Sequence, residues 1–100
     1  AMTFQNLLKR AGIPVAYGVF KNAPKPPFIV YLGAGQKSLS ADDTKYHKAN
    51  KYRVEYYFKT KNEEKEETIE KLLLDGGFLY EKSEDVYIES EDLYVIYYEV

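Results

Sequence analysis

Carboxylates are concentrated in two stretches of the sequence, residues 63–70 and 81–92. Paired carboxylates can act as a general acid and base, or can bind a hard cation through their oxygens. Neither stretch has the ligand spacing of a calcium loop, and the single histidine, His47, lies outside both. We therefore interpret both stretches as solvated or partner-facing charge, which is the usual role of charge runs.

Two further features lack the partners that catalysis or ligand binding requires. His47 lies between Tyr46 and Lys48 with no cysteine or serine motif beside it, so we interpret it as an exposed residue. The glycines of residues 33–35 form neither a dinucleotide fingerprint nor a P-loop. Since the chain also has no cysteine, thiolate zinc sites and disulfides are excluded. The sequence predicts a protein that is not an enzyme and that uses no metal or cofactor.

Charge is divided unequally along the chain. Residues 1–61 carry eleven Lys/Arg and three Asp/Glu, whereas residues 62–100 carry three Lys/Arg and thirteen Asp/Glu. The two parts therefore have net charges of +8 and −10, which sum to the total of −2. If folding places them on different sides of the molecule, copies of the chain can attract one another head to tail.

Tyrosine is the dominant aromatic residue, with eleven copies and no tryptophan. The adjacent pairs Tyr56-Tyr57 and Tyr97-Tyr98 fall in predicted strands, where neighbouring side chains point to opposite faces. We expect a sheet face without helices that bears Tyr57 and either Tyr97 or Tyr98. Such a face would be an association surface or a stacking platform for single-stranded nucleic acid, although ordinary sheet packing also accounts for the pairs.

One hundred residues fit a single compact domain, which we place over residues 2–100. We interpret Ala1, which precedes Met2, as a residue left by expression cloning. No run of about eighteen apolar residues is present, and the first residues do not follow the order of a signal peptide. We therefore expect neither a membrane partner nor secretion.

The pattern of elements predicts an α+β fold in the order α-β-β-β-α-β-β-β. It comprises a mostly antiparallel sheet of five to six strands with two helices packed on one face. Thr3 and Asn62 are the predicted helix caps, and Gly12 and residues 76–77 the predicted helix ends. The predicted strands are 15–20 and 28–32, joined as a hairpin with a proline-rich tip, then 52–58, 78–81, 86–88 and 93–100.

Residues 36–50 are polar and small, with few apolar anchors. A long irregular stretch inside a compact domain is unusual and is often functional. We therefore predict a projecting, mobile loop at this position.

The segments 12–18 and 26–33 resemble small structural proteins encoded in the tail-assembly region of long-tailed phages and prophages of Gram-positive bacteria. Residues 52–57 and 78–81, followed by the final strand pair, extend the resemblance over nearly the whole chain. Such proteins are called tail terminator, tail-completion, head–tail joining or minor capsid proteins.

The resemblance implies a non-enzymatic subunit that closes into a ring, typically a hexamer, on the tail tube. The ring would terminate the tube, dock to the neck, and let DNA pass without specific binding. The implied partners are other copies of the chain, tail tube proteins and neck proteins, and the free protein can be a monomer. The implied location is the virion, at the tail or the head–tail junction, after assembly in the cytoplasm of a bacterial host.

A ring requires a heterologous interface, in which one patch meets a different patch on the next copy. Opposite charge on the two patches would steer and orient that contact. The candidate interface residues are Lys45, Tyr46, His47, Lys48, Lys51, Arg53, Tyr57, Glu63, Glu64, Glu66, Glu67, Glu84 and Asp85.

The excess of Lys/Arg before residue 62 also permits a different function. The alternative is a small nucleic-acid-binding module that uses the basic residues and exposed tyrosines.

Overall fold

The computed structural model describes residues 3–40 and 46–100, and only the backbone of 37–40 and 46–49. In this part of the chain, the α+β fold and the predicted order of elements are confirmed. The helices are α1 (Phe4–Lys9) and α2 (Glu63–Asp75), and the strands are β1 (Val15–Tyr17), β2 (Phe28–Ser40), β3 (Tyr46–Phe58), β4 (Glu81–Lys82), β5 (Val86–Ile88) and β6 (Leu93–Glu99). The strands form one sheet in the order β1-β2-β3-β6-β4, and β5 also pairs with β6.

Helix α1 begins and ends where the sequence predicts. The Thr3 hydroxyl accepts a hydrogen bond from the Asn6 N–H at 3.1 Å, which caps the first turn. Gly12 follows the helix with φ +79°, a conformation that favours glycine. The buried side chains of Leu7 and Leu8 then fix the helix on the sheet.

The predicted hairpin between the first two strands is wrong. Strand β1 runs parallel to β2, with Val15 opposite Ile29. After Tyr17 the chain leaves the sheet, and residues 18–27 carry it back to the start of β2, as a parallel pair requires. Phe20 packs edge-on against Phe28, with ring centroids 5.4 Å apart. This connection helps to bury the second face of β2, on which Phe28 and Val30 are buried.

Strand β3 shows the predicted alternation of buried and exposed residues. Val54, Tyr56 and Phe58 are buried, whereas Lys51 and Arg53 are exposed. Both helices and the central strands contribute to a single core on one face of the sheet. Its buried members are Leu7, Leu8, Ala11, Ile29, Tyr31, Val54, Tyr56, Phe58, Ile69, Leu72, Leu73, Ile96 and Tyr98.

The prediction of an irregular loop over residues 36–50 is wrong for most of its length. Strands β2 and β3 are 13 residues long each, and they remain paired as far as Ser40 opposite Tyr46. The hydrophobicity pattern does not predict this pairing, because the residues are polar and the backbone hydrogen bonds of a ribbon need no apolar face. Residues 41–45 lie outside the described residues. Strand β1 pairs with β2 only as far as Tyr31, and β6 pairs with β3 only from Arg53 onward. In the described part of the chain, the ribbon therefore extends beyond the rest of the sheet.

The predicted strand over 78–81 is reduced to the two residues of β4. The Phe78 N–H donates to the Leu73 carbonyl at 2.9 Å, so the chain is held at the end of α2 rather than in the sheet. Gly76 allows this end of α2 to approach α1. A Cβ at Gly76 would lie only 2.6 Å from Leu7 Cδ2.

Two equally buried tyrosines differ in their hydrogen bonds. The Tyr98 hydroxyl donates to Glu70 Oε2 at 2.7 Å, whereas the Tyr56 hydroxyl has no hydrogen-bond partner among the described residues. Burial raises the pKa of Tyr56 to about 12, and burial together with the Glu70 bond raises that of Tyr98. Both side chains are therefore neutral at physiological pH.

We expect opposite effects when each hydroxyl is removed. Tyr98→Phe should lower the free energy of unfolding by about 2 kcal/mol, because it removes a buried hydrogen bond to a carboxylate. Tyr56→Phe should leave that free energy unchanged or raise it by up to about 1 kcal/mol, since the lost hydroxyl is an unsatisfied buried group. Urea unfolding at pH 7 measures both variants, and equal destabilisation by the two changes would contradict this arrangement.

Candidate association surfaces

The acidic residues of α2 and of the turn before β6 lie at the same end of the molecule. Strand β3 ends at Phe58, and residues 59–62 lead directly into α2. Tyr94 at the start of β6 is the cross-strand partner of Phe58, which places the turn 89–92 at this end as well. Lys59 Nζ lies 3.2 Å from Asp92 Oδ2 across this junction. We call this the acidic end; its exposed carboxylates are Glu63, Glu64, Glu67, Glu89, Glu91 and Asp92.

The opposite end is formed by the β2–β3 ribbon. We define the basic arm as residues 36–40 and 46–53, which carry Lys37, Lys48, Lys51 and Arg53 and no carboxylate. Asp42 and Asp43 belong to residues 41–45, outside the described part of the chain. With a rise of about 3.3 Å per residue, the tip of the arm at Tyr46 lies about 40 Å from Phe58 along β3, and the base of the arm at Arg53 lies about 17 Å from it.

The structure describes the candidate interface residues of the basic part, residues 1–61, to different extents. Lys51 and Arg53 are exposed on β3, as an association surface requires. The backbone of Tyr46, His47 and Lys48 also lies in β3, and Lys45 falls outside the described residues.

Of the acidic candidates, Glu63, Glu64, Glu67 and Glu84 are exposed, but Glu66 is not. Glu66 is only 2 % exposed, so its inclusion in an interface is wrong. It lies three residues before Ile69 and seven before Leu73, which places it on the core face of α2. That helical spacing was the sequence signal that could have identified it as buried.

Two lysines compensate the buried carboxylate of Glu66. Lys61 Nζ lies 2.9 Å from Oε2 and directs a hydrogen bond to Oε1 at 3.1 Å. Lys82 Nζ lies 2.9 Å from Oε1. Lys61 also lies 3.0 Å from Oδ2 of Asp85, so this candidate residue is paired within the molecule.

Glu70 completes the group that we call the ion cluster, formed by Lys61, Glu66, Glu70 and Lys82. Lys82 Nζ lies 2.8 Å from Glu70 Oε2. Burial alone would raise the pKa of Glu70, but hydrogen bonds from Lys82 and Tyr98 outweigh it and hold that pKa below its usual value. The cluster therefore ties α2 to β4 and to the segment before the helix.

The prediction that one tyrosine of each adjacent pair leaves the core is confirmed. Tyr56 and Tyr98 are buried, whereas Tyr57 and Tyr97 are partly exposed on the face without helices. Tyr57 stacks on Phe28 with ring centroids 5.0 Å apart and donates to Glu55 Oε1 at 2.8 Å. Burial and this bond raise the pKa of Tyr57. Part of its surface is therefore used in packing within the molecule.

A shallow groove of about 510 Å³ lies on the same face. Its lining combines two cations with three carboxylates and two neutral residues: Arg53, Lys82, Glu55, Glu81, Glu99, Ser83 and Tyr97. The mixed charge gives this face no strong preference for an anionic partner such as nucleic acid.

At the base of the basic arm lies an aromatic groove that the sequence pattern did not reveal. Phe4 stacks on Tyr52 with centroids 4.0 Å apart and planes 6° from parallel, and meets Phe78 edge-on at 5.0 Å. The groove measures about 580 Å³ and is lined by Thr3, Phe4, Leu7, Tyr52, Gly76 and Phe78. The aromatic groove brings together three segments that are distant in sequence.

A second aromatic feature, the tyrosine pair, lies at the acidic end. Tyr87 and Tyr94 are cross-strand partners with ring centroids 5.1 Å apart, and they are 49 % and 39 % exposed. Tyr94 stacks on Phe58 at 5.5 Å, and the Tyr87 hydroxyl donates to Asp92 Oδ1 at 2.8 Å. The pair is therefore held in place and remains accessible.

Within residues 3–40 and 46–100, no group of three or more histidines and carboxylates converges as metal ligands would. The helices of this part of the chain include none that is long and apolar enough to cross a membrane. No known protein-family model and no curated protein matches the sequence.

Removing Lys82 should destabilise the fold by more than removing an exposed lysine does. Lys82→Met leaves two carboxylates, Glu66 and Glu70, with fewer cations, and we expect a loss of about 2 kcal/mol, since breaking a buried pair is costly and Lys61 remains. The matched control is Lys59→Met, whose ion pair with Asp92 is exposed and is worth at most about 1 kcal/mol. Urea unfolding of both variants checks this, and equal losses would show that burial does not strengthen the cluster.

The ion cluster should also make the free energy of unfolding depend on pH in the acid range. Since the folded pKa of Glu70 lies below its ordinary value of 4.5, Glu70 stabilises the fold above pH 4.5 and loses this effect as the pH falls through the folded pKa. We expect Glu70→Gln to be less stable than the original chain at pH 7 and to lose less stability below pH 4.5. Unfolding curves measured between neutral and acid pH test this, and parallel pH profiles would contradict it.

Proposed function

We propose that this protein is a non-enzymatic structural protein of a phage tail or neck. It would form a head-to-tail ring that terminates the tail tube and docks to the head–tail connector. The sequence resemblance motivates the phage assignment. The observation that carries the assembly argument is the placement of the basic arm and the acidic end at opposite ends of one subunit.

The distance between the two ends favours association between copies. At physiological ionic strength the Debye length is about 8 Å. Lys48, about 33 Å from Phe58 along β3, therefore scarcely interacts with the acidic end of its own molecule. Within the molecule, Arg53 at the base of the arm shares a groove with Glu55 and Glu99. The cations farther out on the arm, such as Lys48, lie far from the acidic end of their own molecule, and the acidic end of a second copy has the charge to neutralise them. Repeated head-to-tail contacts of this kind close into a ring when the rotation between copies permits.

The basic arm is also suited to docking. A two-stranded ribbon is marginally stable by itself, and its outer edges carry backbone groups that a neighbouring chain can pair with. Strands β2 and β3 extend as such a ribbon beyond β1 and β6 in the described part of the chain. A partner that covers this ribbon, in the ring or on the neck, would therefore stabilise it.

The alternative, a nucleic-acid-binding module, is supported by the four cations of the basic arm. Against it, the sheet face that bears Tyr57 and Tyr97 also carries Glu55, Glu81 and Glu99. Carboxylates beside a stacking platform repel the phosphate backbone. We therefore favour assembly over nucleic-acid binding.

Sedimentation at low and high salt, with and without assembled tail tubes, tests the proposal. We expect the protein to sediment with the tubes and to do so less at high salt, because charge steers the contact. Lys48→Glu combined with Lys51→Glu should reduce binding at least about tenfold, since two arm charges are reversed. The matched control reverses Lys21 and Lys25, which lie in the connection 18–27 outside the arm and should leave binding nearly unchanged.

A protein that stays monomeric and ignores tubes in every condition would overturn the proposal. Titration with labelled single-stranded and duplex DNA at moderate salt distinguishes the nucleic-acid-binding alternative from the proposed assembly function. Steep salt-dependent DNA binding, lost in the arm variant and retained in its control, would favour the nucleic-acid module.

A further inference from the structure

We infer that the sheet continues from one copy of the chain into the next, with β5 of one copy pairing antiparallel to β1 of the other. In this pairing Tyr87 of one copy lies opposite Tyr17 of the next. The inference rests on the proposed head-to-tail assembly and names the two surfaces that meet in it. The occupant of each sheet edge is therefore a second copy of this chain.

Strands β1 and β5 lie at opposite edges of the sheet. In the part of the chain that the structure describes, β1 pairs only with β2, and β5 pairs only with β6. The two edges face away from each other, so a copy placed beside another, with the same side of the sheet facing the same way, meets it through unlike edges. Such a contact is heterologous and can repeat around a ring.

Strand β1 directs backbone groups of Tyr17 away from the sheet. The Pro14 carbonyl and the Gly18 N–H both form hydrogen bonds with β2. Because backbone groups alternate in direction along a strand, those of Tyr17 point to the open side. The Tyr17 carbonyl accepts a hydrogen bond from the Val19 N–H at 2.9 Å and keeps a second lone pair. Tyr17 can therefore pair with a residue of another strand.

Strand β5 directs backbone groups of Tyr87 outward in the same way. The Ser83 N–H donates to the Tyr97 carbonyl at 2.9 Å, so Tyr97 turns its backbone groups toward the β4–β5 side of β6. Val95, two residues earlier on β6, does the same, and its partner Val86 therefore faces β6. The next residue, Tyr87, faces the open side. The two outward-facing tyrosines can exchange backbone hydrogen bonds as one antiparallel pair.

The side chains of these two tyrosines are exposed on the same side of the sheet. Tyr17 is 60 % exposed and Tyr87 is 49 % exposed. Tyr17 packs edge-on against the core residue Tyr31 with ring centroids 5.2 Å apart, and Tyr87 packs on Tyr94, which stacks on the core residue Phe58. Both rings therefore lie on the side that carries the helices. Since opposed residues of an antiparallel pair share a face, the pairing joins the two rings and covers both.

Charge around the two edges favours contact between unlike edges. Helix α1 packs against β1, and the charged residues within six positions of β1 are all cations: Lys9, Arg10 and Lys21. The charged residues within three positions of β5 are all carboxylates: Glu84, Asp85, Glu89 and Glu91. Asp85 is paired with Lys61, and the other three are exposed. Pairing of β1 with β1, or of β5 with β5, would bring like charges together.

The same arrangement brings the basic arm of one copy to carboxylates of the other. Strand β1 runs parallel to β2 and therefore toward the arm of its own copy. An antiparallel β5 begins on that side, so the preceding segment, residues 81–85, faces the base of the neighbouring arm. Glu81 and Glu84 of this segment are exposed. The edge pairing and the proposed charge contact can therefore form together.

The absence of cysteine from the sequence allows a direct test by site-specific crosslinking. Tyr17→Cys labels one edge and Tyr87→Cys labels the other. Opposed residues of an antiparallel pair have Cα atoms about 5.5 Å apart, which suits a disulfide. Within one molecule the two positions cannot be bridged, because β1 and β5 are separated by β2, β3 and β6, or about 19 Å at about 4.8 Å per strand. A disulfide therefore reports contact between copies.

We expect an equimolar mixture of the two variants, oxidised with diamide at low salt, to give the mixed dimer at least about tenfold faster than either variant gives its own dimer. High salt should slow the mixed reaction, because charge orients the contact. The matched control is Leu74→Cys, which places the thiol at a side chain that is 50 % exposed on α2. Its reaction with Tyr17→Cys should be no faster than self-dimerisation.

A second pair of variants tests the same register from the other face. With Tyr17 opposite Tyr87, Ala16 lies opposite Ile88, so Ala16→Cys and Ile88→Cys should also prefer each other. This pair replaces the first if a tyrosine variant fails to fold, which urea unfolding detects.

Self-dimers that form as fast as the mixed dimer would overturn the inference in favour of two-fold pairing. Equal rates for all combinations, including the Leu74 control, would overturn it as well. Failure of the inference is distinguishable from failure of the proposed function. Tube binding without preferred crosslinking leaves the function standing, whereas preferred crosslinking without tube binding leaves only the self-association.

Discussion

The buried carboxylate of Glu66 is the interaction on which the charge arrangement of this protein depends. A carboxylate removed from water is tolerated only when cations and hydrogen bonds compensate it. Lys61 and Lys82 do so from the segment before α2 and from β4, and both lie within 3 Å of its oxygens. Since these lysines are used inside the molecule, they do not neutralise the exposed carboxylates at the start of α2. The acidic end keeps its charge as a result.

The antiparallel arrangement of β2 and β3 turns a division of charge along the sequence into a division in space. The pair of Ser40 and Tyr46 lies far from the point where β3 passes into α2, so the cations of the arm are carried away from the carboxylates of the helix. Lys59 and Lys61 are exceptions, because they stand where the two parts of the chain meet and form ion pairs there. Arg53 is a further exception, because it is the cross-strand partner of Glu99. Lys48, ten residues before Phe58 on β3, is about 33 Å from the acidic end, beyond the reach of screened attraction within one molecule.

Exposed aromatic rings are also found at both ends of the molecule. At one end Phe4, Tyr52 and Phe78 line a groove, and at the other Tyr87 and Tyr94 protrude beside a turn rich in carboxylates. In the head-to-tail assembly that we propose, opposite charge would set the direction and rate of encounter between copies. An elongated subunit with unlike ends suits a closed ring better than a symmetric dimer, because only unlike surfaces can repeat around a circle.

The sequence by itself determined the fold class, the caps of both helices, the alternation of β3, and that one tyrosine of each adjacent pair enters the core. Each of these depends on local spacing and on neighbouring residues. Only the tertiary structure decided that β1 runs parallel to β2, that the polar residues 36–40 and 46–50 form a ribbon, and that Glu66 is buried. These features depend on backbone pairing and on cations supplied by segments distant in sequence. The aromatic groove belongs with them, because its three rings come from α1, β3 and the end of α2 and meet only when the chain is folded.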